Sequence, residues 1–293
     1  MRKETNMSDT LRLLSIGAHP ADIFDQSGGT MAHHVARGDW VGCVVLTHGA
    51  RVHDKVISDE MFHRAEVPQA DQLTALMAER ADVKADEVRR ACALLGVEEI
   101  HFFGADDAVL RVTEEAVRRL ARLVRQLRPD VVLTHFPKEG DGLTNAHAVC
   151  GQIVLHALAL AYGVDPGDSR PPHRVAQVFY FGTGAASVPR SVWDSEGGYY
   201  NDVFIDITDV VDKKLAALDC LESQGYGGAY ARKRIETSDG AFGTAAGCAY
   251  AEGFIKANAE THYYLPLTEH AIKKARMSDH EHIVEQSFKV QTD

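Results

Sequence analysis

Residues Leu14–Thr30 read LSIGAHPADIFDQSGGT. A small, apolar run stops at His19 and Pro20, Asp22 follows, and Gly28-Gly29 lead into a helix. The run from Leu11 to Gly17 is apolar enough to be buried on both faces, as strands of parallel sheets are. An imidazole and a carboxylate then stand three residues apart at the strand's C-terminal end. In open α/β sheets that is the edge where ligands collect. Ala21, between Pro20 and Asp22, has no side chain able to take part.

The same pattern repeats outward from this segment. A helix is expected over 30–37, stopped by Gly38, and a second buried strand over 41–47 (VGCVVLT). Residues 48–69 carry many histidines and charges without a clean period and read as a long loop with some helix. Val88, Ala91, Cys92 and Leu95 have helical spacing, so a helix is expected over 81–95 with Gly96 as its stop. A third strand is expected over 99–103. A helix follows from Thr113 to Pro129, with an acidic first turn. A fourth strand covers 130–134 (DVVLT), then a long helix 145–162. Strands over 175–181 and 203–207 and a helix over 209–224 complete the regular pattern, and a Gly- and Ala-rich stretch runs on to Phe254. Strands alternating with helices imply βαβ units, hence an α/β fold with a mostly parallel sheet flanked by helices. No repeat or Pro/Ser-rich linker divides the chain. The expected organisation is a flexible N-terminus (1–9), one domain (10–267) and a charged C-terminal tail (268–293).

Composition narrows the function. The 293 residues are 45% hydrophobic and 25% charged, ordinary for a soluble globular protein. A formal net charge of −11 argues against a broad basic face for nucleic acid or anionic membranes. No apolar run approaches the ~20 residues that span a bilayer. The polar start MRKETNMSDTLRL has no signal core, so a cytoplasmic location is expected. The five cysteines are scattered, without CxxC, and read as free thiols of a reducing compartment.

The polar residues that fall at predicted strand ends are His19, Asp22 and Asp25; His48 and Arg51; Asp106 and Asp107; His135, Lys138, Asp141, Asn145 and His147. Among them His19, Asp22 and His147 form a two-imidazole, one-carboxylate set that could bind a divalent ion with a position left for water. Zinc is preferred, and Fe(II) suits the same ligands. The residue pattern leaves the alternative open that these are hydrogen-bonded structural side chains. SGGT lacks the spacing of a phosphate loop, so close strand–helix packing better accounts for its glycines.

An ordered set of motifs sharpens this reading. AHPAD…GGT resembles the AHPDDE…GGT signature of the PIG-L (LmbE-like) superfamily of metal-dependent deacetylases. KADEVRRACALLG resembles its RxxE…A..LG helix, with Lys84 for Arg and Glu87 retained. FFGADD resembles FLGxxD, placing Asp107 on the Asp, and GLTNAHAVCG falls on HPDH, with His147 on the final His. KKLAALDCLESQ and YAEGF resemble K..AL..H.SQ and YAExF. The resemblance spans about residues 10–255. It implies a Rossmann-like fold and a zinc site of His19, Asp22 and His147.

The departures are as informative. In the deacetylases the first Asp of AHPDDE is the general base, and here that position is Ala21. Ile23 replaces the final acid, Thr144 the first His of HPDH and Ala146 its Asp. The proposed ligands survive while the acid–base partners do not. General acid–base help is worth about 10²–10⁴ in rate, so a substitute or a different reaction is needed. Candidate substitutes are His48, His53, Asp54 and Asp25, with His48 preferred. The 4-oxalomesaconate hydratase branch reads HSAD and also has Ala at the base position. That branch carries a Glu after the second strand, where Ala50 stands here, and Arg51 aligns with its Arg. The resemblance therefore implies first a zinc-dependent hydrolase of an amide or N-acyl bond, working with water on the metal. The alternatives are a hydratase or lyase of a small polycarboxylate, and an inactive metal-binding homologue. His48 and Arg51 are the expected catalytic pair. Lys84, Asp107 and Asn145 are expected around a small polar or anionic substrate. Related proteins self-associate, so a homo-oligomer is also an expectation.

Overall fold

The computed structural model describes residues 10–138, 143–182, 201–287 and 289. The expected flexible N-terminus and Asp141 lie outside the described residues. Seven strands form one sheet in the order β3-β2-β1-β4-β5-β7-β6. They are β1 (Arg12–Gly17), β2 (Trp40–Thr47), β3 (Glu99–Ala105), β4 (Val131–Thr134), β5 (Gln177–Phe181), β6 (Val203–Asp206) and β7 (Ala251–Lys256). The first five are mutually parallel, and β7 runs antiparallel to both β5 and β6. This is the mostly parallel, single-domain α/β fold that the alternation predicts.

Both faces of the sheet are covered, which is why the strands are nearly continuous apolar runs. Along β1 and β2, Leu13, Val41, Cys43 and Val45 point to one face. Leu14, Ile16, Val44 and Leu46 point to the other. The first face packs under α1 (Asp22–Arg37), α3 (Ala70–Leu95) and α6 (Val211–Asp219), through residues such as Phe24, Val88 and Leu218. The second packs under α4 (Glu114–Leu127) and α5 (Ala146–Tyr162), through Leu120, Val124, Ile153 and Val154. The shorter helices are α2 (Lys55–His63), α7 (Ala229–Arg234), α8 (Gly240–Ala246), α9 (Glu269–Lys274) and α10 (Asp279–Glu285). The last two lie within the segment expected as a charged tail. No described helix is long and apolar enough to cross a membrane.

Four points of the sequence reading, three of them departures, have local causes. Helix α1 begins at Asp22 rather than Thr30 and is kinked at Ser27 (φ −146°, ψ 15°). The kink frees the N–H groups of Gly29 and Thr30, and Glu252 of β7 accepts both at 2.8 and 2.7 Å. The glycine pair thus marks a second helix start inside the first, capped by a carboxylate from 222 residues away. A Cβ on Gly29 would lie 2.5 Å from Ile207 Cγ2, so the glycine is required by close packing. Second, α2 is the helix expected within the 48–69 loop, capped by Asp54, whose Oδ1 accepts from Ile57 N at 3.0 Å. Third, α3 starts eleven residues before position 81, because its first half has no buried stripe to advertise it. Fourth, β7 was hidden in the Gly- and Ala-rich stretch, whose small residues carry no strand signal.

Strands β2 and β3 lie on one side of β1, and β4 and β5 on the other. The chain therefore leaves the C-terminal ends of β1 and β4 in opposite directions. That opens the crevice where α/β sheets place their sites. His19 follows β1 and His135 follows β4, on strands paired in register at Ile16 and Thr134.

Candidate metal centre

The β1–α1 turn is short and tightly held. Ala18 O accepts from both the main-chain N and the Oγ1 of Thr47, at 2.9 and 2.8 Å. Gly49 (φ 66°) lets the β2–α2 loop approach Pro20, where a Cβ would come within 2.9 Å of the proline ring. Asp22 opens α1, where the helix dipole favours a negative charge. His147 sits in the first turn of α5, its N–H bound by the Asn145 side chain at 2.8 Å. Asn145 is therefore the N-cap that orients His147 and is not among the residues lining the cavity.

These turns bring His19, Asp22 and His147 together, with one ligand atom from each inside a 4.8 Å span. His19 Nδ1 lies 3.1 Å from His147 Nε2 and 3.3 Å from Asp22 Oδ2. His147 Nε2 lies 3.5 Å from Asp22 Oδ1. Ligands about 2.0–2.1 Å from a tetrahedral zinc are separated by roughly 3.3 Å, so these spacings fit such an ion. Asp22 Oδ2 accepts from His19 N (2.6 Å) and faces His135 Nε2 at 3.0 Å. Oδ1 carries neither of those bonds. Burial opposes ionisation of Asp22, but His147, His19 and His135 outweigh it and hold the carboxyl well below the usual range.

His135 was noted at a strand end but not assigned to the site, and the structure puts it there. It is buried, stacked on His147 (centroids 4.2 Å apart, 5° between planes) and edge-on to Phe181. Burial, then the neighbouring His147, pushes its pKa down to about 4. A neutral His135 with its proton on Nε2 donates to Asp22, as outer partners of metal-binding carboxylates do. Only its position directly after a buried strand could have flagged it.

A cavity of about 380 Å³ opens beside the three residues. Its walls include Ala21, Val52, His53, Asp59, Gln224 and Tyr226. Of the four candidates for the missing base, His53 stands closest to the centre, its ring 4.1 Å from that of His19. His48 does not line the cavity; its Nδ1 accepts from Ala50 N at 3.0 Å and lies 3.3 Å from Asp107 Oδ1. Asp25 is buried against the Arg234 guanidinium, and Asp54 pairs with Arg80 at 3.0 Å. Arg51, the other expected catalytic residue, turns outward to Asp106 at 2.7 Å.

Asp107 shapes the wall rather than lining it. Its carboxylate accepts from Arg51 N (3.0 Å) and Val52 N (2.7 Å), and its Oδ2 lies 3.5 Å from His53 Nδ1. Burial disfavours its charge, but His53 and these N–H groups outweigh it and keep the carboxyl below its ordinary range. Lys84 is likewise beneath the cavity and not on its surface, bonded to His53 O and Ser223 Oγ at 2.9 Å each. Burial lowers its pKa, with Asp54 and Glu87 opposing.

The chain is similar to several known proteins. The PIG-L family, described as GlcNAc-PI de-N-acetylase, matches residues 14–158. A 4-oxalmesaconate hydratase of Pseudomonas putida is 28% identical over 231 residues, 77% of this chain and 79% of that protein. A 1D-myo-inositol 2-acetamido-2-deoxy-alpha-D-glucopyranoside deacetylase of Mycobacterium leprae is 32% identical over 203 residues, 62% of each chain. This chain thus spans less than two thirds of that deacetylase. The structure of a 4-carboxy-2-hydroxymuconate hydratase from Pseudomonas putida superposes with a TM-score of 0.66 at 24% identity, covering 87% of this chain and 100% of that one. At that identity the likeness is one of fold. The matched segment holds all three candidate ligands, and the relatives named here are enzymes. Over residues 14–158, the segment that carries the candidate site, the chain matches the PIG-L (LmbE-like) family.

Proposed function

We propose that this protein is a metal-dependent hydro-lyase that adds water to an activated double bond of a small, carboxylate-bearing substrate. The observation that carries the reading is Ala21. It lines the cavity at the motif position where the resembling deacetylases hold their general base, and it is 3% exposed. Amide hydrolysis needs a proton moved to the departing amine, and a methyl group cannot do that. The P. putida hydratase, matched over most of both chains, supports the same reading.

His19, Asp22 and His147 would hold the ion, and a two-His, one-carboxylate set suits zinc or Fe(II). When bound, such an ion lowers the pKa of water toward ~7 and polarises a substrate oxygen. The chain's own residues do the rest. His135 fixes the Asp22 carboxylate. His53, oriented by Asp107 at Nδ1, has Nε2 left to take or return the proton. Lys55, on the cavity wall, offers a cation to a substrate carboxylate. Val52 and Tyr226 add apolar surface that limits water.

A second reading, hydrolysis of an N-acyl bond, was the first expectation from the motifs and is favoured by the 32% identity to the deacetylase. One experiment separates the two. Metal-loaded protein is incubated with conjugated keto-dicarboxylates, followed by ultraviolet absorbance, and with N-acetyl sugars, followed by amine release. Loss of absorbance that disappears on chelation, with no amine released, is the expected result. Amine release by the unmodified chain overturns the proposal. Ala21→Asp is expected to leave hydration unimproved.

A further inference from the structure

Helix α3 carries two buried charges that face neither solvent nor the cavity. Lys84 is 1% exposed. Its Nζ donates to His53 O at 2.9 Å and to Ser223 Oγ at 2.9 Å, and lies 3.5 Å from Asp54 Oδ2. One turn further on, Glu87 accepts from Ser223 N at 2.8 Å and from Ser223 Oγ at 2.6 Å. Burying an ammonium costs several kcal/mol unless its partners are well placed, and an apolar chain of the same length would fill the space as well. The placement of the partners is therefore the informative feature.

Those partners belong to the two walls of the cavity. Val52, His53, Asp54 and Lys55 line it from the segment before and at the start of α2, and Gln224 and Tyr226 from the segment after α6, which makes the second wall. Between Cys220 and Gly225 the second wall is a single 3-10 turn, Glu222–Gln224, with Ser223 as its buried residue. It presents Gln224, whose Oε1 is buried with no hydrogen-bond partner among the described residues. The ammonium is the group that bonds both walls at once.

We propose that Lys84 is a positioning residue. Its ammonium clasps the His53 main chain to the 222–224 turn, and so sets the separation of the His53 imidazole and the Gln224 amide across the cavity. The inference rests on reading this cavity as the reaction site, but its test does not depend on turnover. Amide hydrogen exchange is measured on the full, metal-loaded chain for the wild type, Lys84→Met and Ser223→Ala. Lys84→Met is expected to raise exchange at least tenfold at Arg51, Val52 and Ile57 and also at Ser223 and Gly225. Strands β1 and β4 stay within twofold. Ser223→Ala is expected to release only the 222–225 amides, and it keeps the proposal falsifiable should Lys84→Met fail to fold. In cobalt-loaded protein the paramagnetic shifts of the His53 ring protons change in Lys84→Met while the His19 and His147 ligand signals persist. A purely structural lysine would leave those shifts unmoved. Exchange unchanged in both segments, or raised equally throughout the sheet, overturns the proposal. The expected exchange pattern in a protein that adds water to no carboxylate-bearing double bond retains the clasp and removes the functional reading.

Discussion

Replacing Asp107 by Asn tests how the cavity wall is built. The carboxylate takes two main-chain N–H groups, from Arg51 and Val52, and faces the imidazoles of His48 and His53. An amide keeps one oxygen, so one N–H keeps its acceptor and the other meets an NH₂ group. A hydrogen bond to a charged group contributes about 1.5–3 kcal/mol, and a buried donor left unsatisfied costs about 1–3 kcal/mol. Because the lost bond and the orphaned donor are one event, the two are not summed, and we expect a loss of about 1.5–3 kcal/mol at pH 7. That corresponds to roughly 10- to 150-fold in the folding equilibrium. Urea unfolding followed by circular dichroism reads it as a lower midpoint at unchanged slope. The sign with pH follows from linkage. The folded carboxyl is held below its unfolded value, so its stabilisation is present above the ordinary carboxyl pKa of about 3.9 and is lost as pH falls through the folded value. The gap between wild type and variant should therefore narrow on acidification below about pH 4–5. Asp86→Asn, at an exposed pair with Arg89, is the control and should shift stability by under about 1 kcal/mol. A loss below about 0.5 kcal/mol for Asp107→Asn, against the bond energies above, would refute the view that this carboxylate holds the loop.

Three further outcomes are expected. His135→Ala should weaken zinc binding by about 10- to 100-fold in calorimetric titration, because Asp22 loses the partner that orients it. Gly29→Ala should destabilise by about 1–3 kcal/mol in urea, through the clash with Ile207, and Ile207→Ala should relieve most of the clash in a double-mutant cycle. Lys214→Met should cost about 3–5 kcal/mol, because it strands the buried carboxylates of Asp239 and Glu252, now bonded to its Nζ at 2.9 and 2.8 Å. A thermal shift within experimental error for that variant would sink the idea that the three charges are mutually dependent.

The parallel core strands were legible because their signal is local. VVLT or VGCVVLT can be read without knowing what lies beside it. The three candidate ligands were legible for a related reason: each follows a strand or opens a helix, and the motif spacing records that. Strand β7 escaped because Ala and Gly carry almost no strand preference, and only its pairing with β5 and β6 makes it one. The sequence reading preferred His48, yet His53 is the one that lines the cavity; both lie in one loop, and no motif records which way Asp107 and Gly49 turn it.

The chain by itself determined a doubly covered, mostly parallel sheet and, through its resemblance to a motif set, pointed to the imidazole–carboxylate group at the sheet's C-terminal edge, because hydrophobic periodicity and short motifs act over a few residues. The tertiary structure alone decided which histidine faces the cavity, that His135 backs Asp22, that Glu252 caps the broken α1 and that Lys84 spans two walls. Each of those depends on side chains far apart in sequence meeting in space. Burial then gives the contacts their force, because charges and N–H groups removed from water must find one another.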